Sequence, residues 1–257
     1  MTTIDEVAAY ADELLNTPRI PDYSSALNGL QLQSCGPLRG LAAAVDLSTR
    51  AIEGAKTVDA NLLVVHHGMF WGGLSPLTGA AYRRVRLLLD NDIAVYSSHI
   101  PLDCHTAFGN NVLLAKELSL TPSREFARYE GIQIGVAGDC DVPTQALIER
   151  ATKFARNHGH TVRTTLMKDS RRTKRWGMCS GAGAAADTLK EAIDEGIDTL
   201  IVGEGPHWTA ITAEENDLVI IYAGHYATET LGVCALAQHL GDKYKVPWKF
   251  ISAPTGL

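Results

Sequence analysis

Six short apolar runs alternate with helix-forming segments, and this alternation constrains the fold more than any other feature of the chain. The runs are Leu41–Leu47, Asn61–Val65, Ile93–Ser98, Ile132–Gly138, Thr199–Gly203 and Leu218–Gly224. Apolar residues follow one another with little alternation, the pattern of strands covered on both faces. Helical periodicity fills most of the gaps, at Ser48–Lys56, Ala80–Asp90, Asn110–Glu117, Thr144–His158, Ala184–Glu195 and Ala227–Leu240. Strand and helix in alternation predict an α/β protein with mostly parallel sheets. At the start of the chain, Ile4, Val7, Ala8, Ala11, Leu14 and Leu15 predict an amphipathic helix, with Thr3 and Glu6 spaced as a capping box. A length of 257 residues suits one large domain or two smaller ones. The charged, aperiodic stretch Ser119–Tyr129 is the expected boundary.

Charge and cysteine usage exclude several classes. The net charge of −6 is the wrong sign for a general nucleic-acid surface. The 5 cysteines are scattered without a C-x-x-C pair, so neither a disulfide framework nor a thiolate zinc knuckle is expected. Asp5 and Glu6 stand where a secretory leader needs positive charge, and the chain reads as cytoplasmic. The longest stretch free of charged residues, Ala60–Tyr82, holds His66, His67, Pro76 and several glycines, so no membrane span is expected. Lys168, Arg171, Arg172, Lys174 and Arg175 form a basic run, read as a solvated hairpin tip or, alternatively, a phosphate clamp. Behind it, Gly181 and Gly183 suggest a truncated glycine-rich turn opening a helix. A close helix–strand packing turn explains it better than a nicotinamide site, since no acidic residue stands at the ribose-binding position.

The chemistry sits at strand ends. Asn61–Val65 runs into His66 and His67, Ile93–Ser98 into His99 and then Asp103, and Leu218–Gly224 into His225 and then Glu229. Ligand sites of parallel sheets gather beyond the carboxyl ends of their strands, so the three clusters can meet. His225 and Glu229 are four apart, which puts both on one helix face. Imidazoles and carboxylates without thiolate suit divalent Zn, Fe, Mn, Ni or Co. They exceed the needs of one catalytic ion and fit two ions better; a polar crevice without metal is the alternative.

The segments Asn28–Gln31 (NGLQ), Val64–Trp71 (VVHHGMFW), Ser97–Asn111 (SSHIPLDCHTAFGNN), Gly203–Trp208 (GEGPHW) and Ala223–Glu229 (AGHYATE) together resemble the YbgI-type, NIF-three-like family. Its members are also called GTP cyclohydrolase 1 type 2 homologs. Many members carry Pro after the histidine pair, where this chain has Gly68. The resemblance implies a dinuclear centre of two divalent ions (Zn, Fe, Mn or Ni) on His66, His67, Asp103, His225 and Glu229. It also implies two α/β lobes, residues 1–124 plus 223–257 and residues 125–222, with the C-terminal segment returning to the first. Six chains are expected to assemble into a toroid.

On this resemblance His99 is expected beside the metals as an orienting or acid/base group, and Glu204 and His207 in the cavity. The implied reaction is metal-assisted hydrolysis of a small molecule, with a nucleotide suggested by the family name. Arg171 and Arg172 would then hold phosphate. The alternative from another class is a metal-bearing ring that binds protein or nucleic acid without catalysis.

Overall fold

A computed structural model describes residues 2–256. In chain order the elements are α1 (Ile4–Leu14), β1 (Gly29–Leu32), β2 (Leu41–Asp46), α2 (Thr49–Thr57), β3 (Leu62–His67), α3 (Gly79–Asp90), β4 (Ala94–Ser97) and α4 (Ile100–Asp103). There follow α5 (Asn110–Glu117), β5 (Arg124–Tyr129), β6 (Ile132–Pro143), α6 (Thr144–Asn157), β7 (Arg163–Thr164), β8 (Arg172–Cys179), α7 (Ala186–Asp194) and β9 (Thr199–Val202). The chain ends with α8 (Trp208–Glu215), β10 (Val219–Tyr222), α9 (His225–Thr228), α10 (Thr230–Tyr244) and β11 (Trp248–Phe250). All six predicted strands are present. Among the described residues no helix is long and apolar enough to cross a membrane.

The chain divides into two compact units, Met1–His105 with Gly232–Ala253, and Thr106–Leu231 with Pro254–Leu257. The first unit carries a sheet in the order β1-β4-β3-β2-β11. Its pairings are parallel except for β1 on β4, and β11 brings the C-terminal segment back beside β2. β2 and β3 are buried almost throughout, which explains their unbroken apolar runs. Ala42, Ala44, Leu63, Val65 and Val95 pack there against Ala51, Ile52 and Leu88 of the flanking helices. The capping box forms as expected: Thr3 N–H donates to Glu6 Oε2 at 2.8 Å, and Glu6 N–H to Thr3 Oγ1 at 3.2 Å.

The second unit holds a six-stranded sheet in the order β5-β6-β8-β9-β10-β7. Only β8 with β9 and β9 with β10 run parallel; the remaining pairings are antiparallel. Parallel geometry is thus confined to the strands whose ends carry chemistry. The stretch at 119–129, expected as an aperiodic boundary, instead supplies β5, an edge strand of this sheet. Trp176, Met178 and Ile201 pack on one face against α5 and α6, and Leu200, Val202 and Ile220 on the other against α7 and α8. Of the basic run, Arg172, Lys174 and Arg175 lie in β8, while Lys168 and Arg171 lie in the turn region just before it. Arg171 pairs with Asp217, Arg172 with Asp141 at 2.6 Å, and Arg175 with Asp139 at 3.6 Å.

Candidate metal centre

In the first unit the centre grows from three neighbouring strand ends. β2 ends at Asp46, directly across from His67 at the end of β3, and β4 leads through Ser98 to His99. His66, His67 and His99 are all buried, and each offers a ring nitrogen within 4.8 Å of the others'. Nδ1 of His66 lies 2.9 Å from the Ser98 carbonyl, Nδ1 of His67 lies 2.8 Å from Asp46 Oδ1, and Nδ1 of His99 lies 2.8 Å from Asp22 Oδ1. A carbonyl only accepts, so His66 carries its proton on Nδ1, and ionised carboxylates assign the same tautomer to the other two. In every ring Nε2 is therefore the nitrogen left over to face a ligand. This is the arrangement of metal-ligating histidines, whose far nitrogen is tied to an oxygen. Asp103, on α4, sets Oδ2 3.4 Å from Nε2 of His66.

The NGLQ segment holds this cluster in place. Asn28 Oδ1 accepts the His99 N–H at 2.7 Å while its amide donates to Asp22 at 2.8 Å. Gln31 Oε1 accepts the Met69 N–H at 2.6 Å. A Cβ at position 68 would overlap the Gln31 amide, so Gly68 and Gln31 fit each other. Burial alone would raise the Asp22 carboxyl, but the His99 bond and charge, with Asn28 and Ile100 N–H, hold it below its ordinary value. Its stabilising contribution is therefore present above the unfolded value near 3.8 and is lost as pH falls through the lower folded one.

In the second unit the centre stands beyond β8, β9 and β10. α9 is one turn long and brings His225 Nε2 to 3.2 Å from Glu229 Oε2. Nδ1 of His225 lies 2.7 Å from Glu204 Oε1, the same pattern as the other three rings. Glu204, expected in the substrate cavity, thus orients His225. Gly181 has φ of 59°, and a Cβ there would overlap Glu229 Oε1. Thr228 Oγ1 accepts the Gly181 N–H at 3.0 Å and fixes this approach. Gly181 is consequently a seat for Glu229, while Gly183 lies against Cys179; α7 begins only at Ala186, capped by Ala185 without a side-chain bond.

His207 is exposed at the N-terminus of α8, outside the His225 and Glu229 pair. Arg171 and Arg172 lie at the opening of β8, at the far end from Gly181; at about 3.3 Å per residue the strand separates them by roughly 25 Å. They do not join His225 and Glu229, and their charges are spent on Asp217 and Asp141. Asp22 and Asp46 escaped sequence reading. Asp46 had a signal, a carboxylate closing an otherwise apolar strand; Asp22 lies in an irregular segment with none.

Burial opposes charge on His225, but its bonds to Glu229 and Glu204 and their negative charge raise it to about 9. The imidazolium stabilises the metal-free fold fully below the ordinary value near 6.5, and that contribution is lost as pH rises through about 9. A cation taking Nε2 must displace this proton. Affinity for Zn²⁺ is expected to rise about tenfold per pH unit from neutrality toward the folded value, measured by competition with a chelator of known pH dependence. A flat profile would contradict the proton count.

The donors fit a divalent ion: imidazoles oriented through Nδ1, and carboxylates of opposite charge to the cation. The Duf34/NIF3 (NGG1p interacting factor 3) family profile matches residues 2–255. A protein of Deinococcus radiodurans called GTP cyclohydrolase 1 type 2 homolog is 39% identical over 259 residues, covering 98% of this chain and 94% of its own. The solved structure of protein ybgI is 30% identical with a TM-score of 0.89, and covers 100% of both chains. TTHA1606 of Thermus thermophilus is 30% identical with a TM-score of 0.85 over the same full coverage. Family profile, full-length relatives and fold all agree, and the chain belongs to the Duf34/NIF3 family.

Proposed function

We propose that this chain is a hydrolase dependent on two divalent ions held by His66, His67, Asp103, His225 and Glu229, acting on a small molecule. The name of the curated relatives suggests a purine nucleotide as substrate. The observation that carries the reading is the shared posture of four histidines, each with Nδ1 tied to an oxygen and Nε2 turned away from it. A protein that used these rings only for packing would not need the same ring nitrogen tied down at four positions.

When bound, two such ions supply Lewis acidity and a water acidified to near neutral pH. The protein's own groups set the rest. Asp46 and Glu204 hold Nδ1 of His67 and His225 and so fix the ring orientation that would turn Nε2 toward an ion. Asp22 holds Nδ1 of His99, leaving Nε2 to take a proton from an incoming nucleophile or return one to a leaving group. Six copies in a ring remain part of the proposal, with the centres facing a shared interior.

The deciding experiment uses Asp103→Ala. Protein loaded with Fe²⁺, Mn²⁺ or Zn²⁺ is expected to release formate from GTP or to cleave a member of an amide, ester and phosphodiester panel. The variant should lose turnover by about 1000-fold or more while keeping its assembly state. Absence of turnover across metals and substrates contradicts the hydrolase. Loss of assembly with the metal would favour instead a structural centre in a non-catalytic ring.

A further inference from the structure

We propose that Trp71 and Tyr23 form a stacking corner for a planar nitrogen heterocycle beside the imidazole cluster. The inference deepens the reading above and rests on it for the ions next to the ring. Trp71 follows His67 by four residues, and its ring centroid lies 4.7 Å from that of His67 and 4.5 Å from that of His99. Tyr23 stands edge-on to Trp71, with centroids 6.1 Å apart and planes at 87°, and lies 5.9 Å from His99. The two rings meet as a right-angled corner.

Both rings remain partly open, Trp71 at 37% and Tyr23 at 53% exposed, although the histidines beneath them are buried. Large aromatic faces left in water next to a polar site gain by being covered, and a flat heterocycle covers one face while its edge meets the other. Their positions are set by the metal-site framework. The Tyr23 N–H donates to Asp22 Oδ1 at 2.7 Å, the same oxygen that holds His99. Trp71 is placed through its contact with His67 and His99. A ring seated there lies within reach of Nε2 of His99, which can donate to or accept from a ring nitrogen or carbonyl once a ligand arrives. The acidic surroundings of Asp22, Asp46 and Asp103 disfavour an anionic ring and leave the recognition to stacking.

The test is binding, read by tryptophan fluorescence and calorimetry on metal-loaded protein titrated with guanosine, adenosine and inorganic tripolyphosphate. Both nucleosides are expected to bind and quench, and tripolyphosphate to leave the fluorescence unchanged. Trp71→Leu and Tyr23→Leu should each weaken guanosine binding by about tenfold or more, and Trp71→Phe should retain most of it, with the metal content of every variant unchanged. Failure of both nucleosides to bind at millimolar concentration, or equal guanosine affinity in Trp71→Leu and the unsubstituted protein, would overturn the corner. The two readings fail separately. Ring binding without turnover removes the hydrolase alone, whereas turnover with a KM untouched by Trp71→Leu removes the corner alone.

Discussion

Gly181→Ala is expected to lower affinity for divalent metal by about 100-fold or more while both sheets stay folded. The new methyl would occupy the space of Glu229 Oε1, and Gly181 cannot retreat because its N–H is bonded to Thr228. Its φ of 59° adds a left-handed penalty of about 1 kcal/mol for alanine. Relief comes most cheaply by rotating Glu229, which removes one carboxylate from the centre and breaks its bond to His225. Calorimetric titration with Zn²⁺, beside a circular dichroism spectrum, separates this from unfolding. Unchanged affinity would show that Glu229 does not hold metal.

Asp22→Ala should cost about 3 kcal/mol of stability. The buried carboxylate accepts from His99 Nδ1, from the Ile100 N–H at 2.9 Å, from the Asn28 amide and from the Tyr23 N–H. Removing it leaves buried donors without an acceptor, and each such loss exceeds what a surface bond contributes. In a chain of this size the expected fall in Tm is about 10 °C. It should also free His99 to take the other tautomer, so turnover falls beyond the loss of folded protein. A Tm within about 2 °C of the unsubstituted protein would contradict the role given to Asp22.

The strands and most helices were legible because burial on both faces imposes apolar runs that no loop tolerates. β1, β5, β7 and β11 were not. All four are short or charged edge strands, where exposure removes the apolar signature and pairing alone defines the element. The basic run misled for a related reason. Its charges fit an exposed tip as well as the start of β8, and only the fold shows that Asp217, Asp141 and Asp139 pair with its three arginines.

For the centre, the histidines and their carboxylates stood out because they terminate strands in a pattern chance rarely repeats. Their supports were less visible. Asp22 is far from His99 in sequence and meets it only through tertiary structure, and Gly181 resembled part of a phosphate-binding turn until Glu229 was seen against it. Glu204 was noticed, but its role as the partner of His225 depends on a 2.7 Å contact that spacing does not encode.

In the proposed hydrolase, His66, His67 and Asp103 bind a pair of ions together with His225 and Glu229. Crystals of the metal-loaded protein, measured at the Fe, Mn, Ni and Zn absorption edges, test it directly through anomalous scattering. Two peaks per chain are expected about 3.5–4 Å apart, within bonding distance of those five residues. A single isolated peak, or metal bound away from them, would contradict it.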